Sequence, residues 1–215
     1  MLLTQNDQLS VHQFRVGPLT TNCYFLVHRA TRQTIIIDPG DEGDYLSEQI
    51  IQLGLQPTAI FLTHGHADHL GGLLSVYLNF KVPIFLDQSD IFLYKRARAT
   101  LEHFTHRPAD PLVPAHFLQT DPTAFLRPLT IFDPQISLIN FPGHTPGLCA
   151  LHLPTSDWLF AGDLIFAGGA LGRTDFSYSD ADAMRRSLQR LRHLPASTTV
   201  FPGHDDPVPL TIISA

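Results

Sequence analysis

The chain has few cysteines, no long apolar run and no excess of positive charge. Its 215 residues include two cysteines, Cys23 and Cys149, which are too few for a disulfide framework and are expected to be buried on strands. No apolar run approaches the roughly 18 residues of a membrane-spanning helix, and the N-terminal residues lack signal-peptide features. The net charge of −6 gives no electrostatic footprint for nucleic acid. We therefore expect a cytoplasmic protein that binds neither nucleic acid nor a membrane.

Short β-rich runs alternate with helical stretches along the chain, which predicts an α/β protein. Two halves of similar make-up follow one another, so residues 1–215 are expected to form a single domain. A long irregular connection is predicted from Phe104 to Pro134. Ser179 and Asp182 are spaced as in a capping box that opens the last long helix.

The chain is rich in histidine, with twelve copies of the commonest metal-binding side chain. The densest group is His64-Gly65-His66-Ala67-Asp68-His69, which stands where an apolar strand ends. A chain leaving a strand can direct side chains to different sides of one point. His64 and His66 can therefore reach one metal ion while Asp68 and His69 reach another.

Three further polar residues follow apolar strands directly: His144, Asp163 and His204. Each alone is better explained as a capping or hydrogen-bonding group. Together with the first group they supply three nitrogens for one ion, two nitrogens and a carboxylate for a second, and a carboxylate to bridge them. Such ligands predict two divalent ions, with zinc preferred and iron or manganese also accepted.

These residues, in this order, resemble the metallo-β-lactamase superfamily from about Val11 to His204. The resemblance implies a four-layer αβ/βα sandwich with the metals at the seam between its halves. It also implies that Asp68 and Asp163 are the carboxylates of the catalytic centre and that Asp38 supports the metal loop. The implied ligands are His64, His66 and His144 for site one, Asp68, His69 and His204 for site two, and Asp163 as the bridge.

Within this superfamily the chain resembles the small glyoxalase II-like branch. The segment Gly172-Arg173-Thr174-Asp175-Phe176 is similar to stretches of those hydrolases and also of persulfide dioxygenases. Arg173 could bind a substrate carboxylate or pair with Asp175. Asp205 and Asp206 make the rim near site two acidic.

The resemblance implies a metal-dependent hydrolase that cleaves a thioester, such as an S-acylglutathione, by attack of a metal-bridging hydroxide. Lactam or ester hydrolysis would use the same groups. The alternative is a mononuclear iron persulfide dioxygenase that uses His64, His144 and Asp163. A zinc-stabilised binding module without catalysis is the non-enzyme alternative. The substrate is a small molecule in either enzyme, and the sequence leaves the acyl group and the oligomeric state open.

Overall fold

The computed structural model describes residues 1–118, 127–129 and 136–211 of the chain. Within these ranges, two β-sheets and four α-helices follow one another. The helices are α1 (Gly43–Gln52), α2 (Leu73–Phe80), α3 (Ile91–Thr105) and α4 (Ala181–Leu191).

The first sheet has seven strands that neighbour one another in chain order. Antiparallel pairing joins β1 to β4, and parallel pairing joins β4 to β7, so helices must cross between the later strands. The strands are β1 (Leu2–Gln5), β2 (Leu9–Val16), β3 (Thr21–His28), β4 (Gln33–Ile37), β5 (Gln56–Phe61), β6 (Ile84–Asp87) and β7 (His116–Leu118).

The second sheet contains six strands from the rest of the chain, in the order β13-β12-β11-β10-β9-β8. Only the β11–β12 pair is parallel, because α4 crosses between these two strands. The strands are β8 (Arg127–Leu129), β9 (Ile136–Asn140), β10 (Cys149–Leu153), β11 (Trp158–Gly162), β12 (Thr199–Pro202) and β13 (Val208–Pro209).

The two sheets face each other across an apolar core. Tyr24 of the first sheet packs edge-on against Phe160 and Phe201 of the second, with ring centroids 5.3 and 5.7 Å apart. A separate cluster joins the first sheet to α1, α2 and α3, and another joins the second sheet to α4. The layers therefore run helix, sheet, sheet, helix, which confirms the predicted αβ/βα sandwich.

Two local predictions were wrong. Helix α3 continues to Thr105, and β7 lies inside the stretch expected to be irregular; the parts of that stretch at residues 119–126 and 130–134 lie outside the described residues. Helix α4 has no capping box, because Asp180 is its N-cap and accepts hydrogen bonds from the backbone N–H groups of Asp182 and Ala183. The Ser179 hydroxyl instead donates to the carbonyl of His144.

Candidate metal centre

Four loops that follow strands bring seven histidine and aspartate side chains to one end of the two sheets. The first loop leaves β5, and the others leave β9, β11 and β12. The side chains form two groups, and within each group one potential ligand atom per residue lies within 4.8 Å of the others. The groups are His64, His66, His144 and Asp163, and Asp68, His69 and His204.

Asp163 lies between the two groups and presents one carboxylate oxygen to each. Its Oδ2 is 3.5 Å from Nε2 of His144. Its Oδ1 is 3.4 Å from Nε2 of His69 and 3.7 Å from Nε2 of His204. A carboxylate so placed can join two cations.

Four of the five histidines point Nδ1 outward to a protein group and Nε2 inward. His144 and His204 donate from Nδ1 to the backbone carbonyls of Arg173 and Leu19, at 2.8 and 3.1 Å. His69 Nδ1 lies 3.0 Å from Oδ2 of Asp38. Because these partners accept hydrogen bonds, they fix the proton on Nδ1 and leave Nε2 free to bind a metal.

His64 follows the same pattern through a relay. Its Nδ1 lies 3.0 Å from Oγ1 of Thr63, and that hydroxyl donates its hydrogen to Oδ2 of Asp38 at 2.7 Å. The hydroxyl must therefore accept from His64 Nδ1, which leaves Nε2 of His64 as a bare lone pair. Asp38 thus orients both His64 and His69, as the predicted supporting role requires.

His66 is turned the opposite way. Its Nδ1 points inward and lies 3.0 Å from Nε2 of His64 and 3.0 Å from Nε2 of His144. Its Nε2 lies 2.7 Å from the hydroxyl of Tyr178. Three imidazole nitrogens therefore converge on one point.

The two groups differ in charge. Burial lowers the pKa of His64 and His144, and it lowers the pKa of His66 to about 4, so all three are neutral at pH 7. Burial also opposes charge on His69, but the carboxylates of Asp163, Asp68 and Asp38 raise its pKa well above 6.5.

His204 also has a raised pKa. Burial opposes its charge, but its hydrogen bond to Asp68 and the nearby Asp163 carboxylate outweigh that effect. The side chain of His204 is 21% exposed and that of Asp68 is 28% exposed. This edge of the centre is therefore open to solvent.

Two buried atoms of the centre have no hydrogen-bond partner, namely Nε2 of His69 and Oδ1 of Asp163. Buried polar atoms are normally paired, so an unpaired nitrogen and oxygen facing the same point call for a cation. Nitrogen and carboxylate ligands in this arrangement suit a divalent transition metal. The residues therefore fit the metal ions that the fold implies.

Close backbone approach at two glycines lets the loops converge. A Cβ at Gly203 would overlap Oδ1 of Asp163, and a Cβ at Gly172 would overlap the Asp163 carbonyl. A larger residue at Gly203 would push the His204 loop away from Asp163, and one at Gly172 would push its own segment away from the Asp163 backbone.

Sequence reasoning missed Asp90, which ties two of these loops together. Its buried carboxylate accepts hydrogen bonds from the backbone N–H of Gly65, the hydroxyl of Thr145 and the backbone N–H of Gly147, at 2.9, 2.7 and 2.7 Å. Burial raises the pKa of Asp90 to about 6 despite these three donors. Asp90 thereby links the loop of His64 and His66 to the loop of His144, although the sequence shows only an ordinary residue before a helix.

The segment from Arg173 to Tyr178 forms one wall of the centre and is stabilised by contacts between its own side chains. Arg173 donates two hydrogen bonds to Asp175, at 2.9 and 2.8 Å, and its guanidinium lies 4.6 Å from the ring centroid of Phe176. Phe176 stacks on Tyr178 with centroids 5.2 Å apart. Of the two alternatives for Arg173, the contact with Asp175 is present. The Arg173 side chain is exposed beside the group that contains His66.

The acidic pair after His204 is partly neutralised. Asp206 forms a salt bridge with Arg15 at 2.5 Å. The carbonyl of Asp205 accepts a hydrogen bond from the Asn22 side chain at 2.8 Å. These contacts anchor the His204 loop to β2 and β3.

The comparisons with known proteins agree with this geometry. The family model of the metallo-β-lactamase superfamily matches residues 16–204. This chain belongs to the metallo-β-lactamase superfamily. It is 33% identical to the probable metallo-hydrolase YqgX of Bacillus subtilis, over 88% of this chain and 87% of that protein. It is 29% identical to the hydroxyacylglutathione hydrolase GloC of Haemophilus influenzae, over 91% of both.

Solved structures of the superfamily share its whole fold. The B3 metallo-β-lactamase BLEG-1 superposes with a TM-score of 0.82 at 30% identity, covering 94% of this chain and 95% of its own. The di-iron form of TTHA1623 gives 0.81 at 31% identity, covering 94% and 96%. As a superfamily member the chain is a metallo-hydrolase with candidate ligands for divalent metal ions. Among the described helices, none is long and apolar enough to cross a membrane.

Proposed function

We propose that the protein is a binuclear metal-dependent hydrolase that cleaves thioesters such as S-acylglutathiones. The observation that carries this proposal is the position of Asp163, whose two oxygens face two separate groups of inward-pointing ligand atoms. A single-metal enzyme needs only one of these groups.

The proposed ligands follow from the two groups. Zinc, iron and manganese all fit such nitrogen and oxygen ligands, and TTHA1623 has a di-iron form. Site one would be held by His64, His66 and His144, site two by Asp68, His69 and His204, and Asp163 would bridge them.

When bound, the two metal ions supply a hydroxide nucleophile at neutral pH and stabilise the oxyanion that forms on the carbonyl. Asp68 and Asp163 provide the negative charge that holds these cations, and the lowered pKa of each keeps it ionised. A thiol leaving group has a pKa of about 8.5 and departs as a thiolate without a proton donor. The centre is therefore better matched to a thioester than to an ester with an alkoxide leaving group.

Two observations support a small anionic thioester as substrate. GloC, a hydroxyacylglutathione hydrolase, aligns with this chain along nearly its full length. Arg173 lies beside site one, and its Nη1 carries two N–H donors in addition to those directed at Asp175. We propose that this guanidinium also binds a carboxylate of the thiol.

The open edge of the centre favours catalysis over a structural role. Structural zinc sites are normally closed by four protein ligands, whereas the side chains of Asp68 and His204 are partly exposed here. The complete second group, Asp68, His69 and His204, likewise favours two metals over the single iron of a persulfide dioxygenase.

Metal analysis combined with a hydrolysis assay tests the proposal. We expect about two metal ions per chain in the purified protein and turnover of S-lactoylglutathione. His66→Ala should abolish turnover, whereas His193→Ala, which changes an exposed histidine outside the centre, should leave it unchanged. A single iron per chain, no thioester hydrolysis and oxygen uptake with a persulfide would overturn the proposal in favour of the dioxygenase.

A further inference from the structure

His66 differs from the other four histidines in the kind of group that holds its outward nitrogen. The partners of His69, His144 and His204 are a carboxylate and two backbone carbonyls, which accept hydrogen bonds and do not donate. The Thr63 hydroxyl that holds His64 can only accept a hydrogen bond from it, because its own hydrogen is donated to Asp38. The partner of His66 is the phenol of Tyr178, which can either donate or accept.

The inward side of His66 shows why this difference matters. Nδ1 of His66 lies 3.0 Å from Nε2 of His64 and 3.0 Å from Nε2 of His144. Both of those nitrogens are bare lone pairs, because each ring carries its proton on the outward Nδ1. Three lone pairs at one point repel one another, so a proton or a cation must lie between them.

Either a proton or a metal ion can lie between these three nitrogens without changing the charge of His66. With a proton on Nδ1, His66 donates to its two histidine neighbours, and Nε2 accepts from the Tyr178 hydroxyl. With a metal ion on Nδ1, the His66 proton lies on Nε2 and is donated to the Tyr178 oxygen. His66 keeps one proton in both forms, moved by exchange with solvent, and Tyr178 keeps its own proton and rotates its hydroxyl.

We propose that Tyr178 is a positioning residue that reverses its hydrogen bond with His66, which lets His66 exchange its Nδ1 proton for a metal ion. The phenol is well placed for this role. Its ring stacks on Phe176 and packs edge-on against Phe92, with centroids 5.2 and 5.4 Å away. These contacts hold the oxygen in place while leaving rotation about the C–O bond free.

The role of Tyr178 rests on the metal centre of the proposed function but not on the substrate. Tyr178→Phe keeps the stacked ring and removes only the hydroxyl. The metal-bound tautomer then has an Nε2–H without its acceptor, so we expect the zinc affinity of site one to fall about 10- to 100-fold, as for other outer-shell ligand partners. Tyr94→Phe is the matched control, because it removes a buried tyrosine hydroxyl that donates to the Val113 carbonyl.

Two measurements test the role without an activity assay. Zinc affinity is measured by chelator competition for the wild type, Tyr178→Phe and Tyr94→Phe. Nitrogen-15 NMR of labelled histidine, with His66 assigned from its loss in His66→Ala, reports which ring nitrogen carries the proton. We expect Nδ1–H in protein stripped of metal and Nε2–H after zinc is added.

The outcomes separate this role from the thioesterase proposal. A wild-type His66 that already carries its proton on Nε2 without metal, or an unchanged zinc affinity in Tyr178→Phe, overturns the role of Tyr178 and leaves the hydrolase proposal standing. Loss of affinity in Tyr178→Phe with retention in Tyr94→Phe supports it, even if S-lactoylglutathione is not cleaved. A wild-type protein that binds no zinc overturns both.

Discussion

Metal binding to the two groups should depend on pH to very different extents. The three histidines of site one have lowered pKa values and are neutral near pH 7. His69 and His204 of site two have raised pKa values, so in metal-free protein they keep their protons to a higher pH than an ordinary histidine does. A metal ion that binds site two must displace those protons, whereas an ion at site one displaces none from its histidines.

The size of the effect follows from the proton count. Each displaced proton changes metal affinity tenfold per pH unit, or about 1.4 kcal/mol. Displacement of two protons should therefore change the affinity of site two by about 100-fold per pH unit below the pKa of His204. The affinity of site one should change much less with pH near neutrality, because burial lowers the pKa of all three of its histidines.

Calorimetric titration with zinc in buffers of different ionisation enthalpy counts the protons directly. We expect the zinc ion that fills site two to release more protons than the one that fills site one at pH 6.5, because only site two contains histidines with raised pKa values; any proton lost by metal-bound water adds to this release. His204→Gln should lower the larger release by up to one proton, whereas His193→Gln, outside the centre, should not change it. Equal proton release by both equivalents would refute the assigned charges.

The charge of His69 also makes the stability of the metal-free protein depend on pH. Because the folded-state pKa of His69 is raised above its unfolded value, its ion pairs stabilise the fold fully below about pH 6.5. This contribution is lost as the pH rises through the folded-state pKa. Chemical denaturation of metal-free protein should therefore show a free energy of unfolding that falls as the pH rises above about 6.5. Added zinc should remove this trend.

Three further substitutions test other contacts. Asp90→Asn places an amide against three donors and should lower the free energy of unfolding by about 2 kcal/mol or more in urea denaturation; an unchanged midpoint would contradict the role of Asp90. Asp180→Ala removes the N-cap of α4 and should lower it by about 1 kcal/mol, with metal content unchanged. Arg173→Gln should raise KM for S-lactoylglutathione more than for a thioester whose thiol lacks carboxylates. Equal changes in KM would mean that Arg173 only stabilises its own segment through Asp175 and Phe176.

Much of the fold could be predicted from sequence because its signals are local. Apolar runs ending in His64, His144, Asp163 and His204 mark buried strands whose ends carry polar side chains. The alternation of such runs with helical periodicity specifies an α/β sandwich. Cys23 and Cys149 are buried on strands as expected from their apolar neighbours.

Local signals failed where a distant residue decided the outcome. Ser179 has the spacing of a capping residue, but its hydroxyl donates to the His144 carbonyl, 35 positions away, and Asp180 takes its place. A second prediction failed for a local reason: the irregular connection was expected from Phe104, but α3 continues to Thr105, because no proline or glycine comes before that point.

The sequence by itself determined which side chains stand at the strand ends, because the strand pattern and the His-X-His-X-Asp-His spacing are local. Only the tertiary structure decided which ring nitrogen each histidine turns inward. That choice depends on partners far along the chain, such as Tyr178, which lies 112 positions from His66. Residue types and spacing do not predict such contacts, because packing of the two sheets creates them.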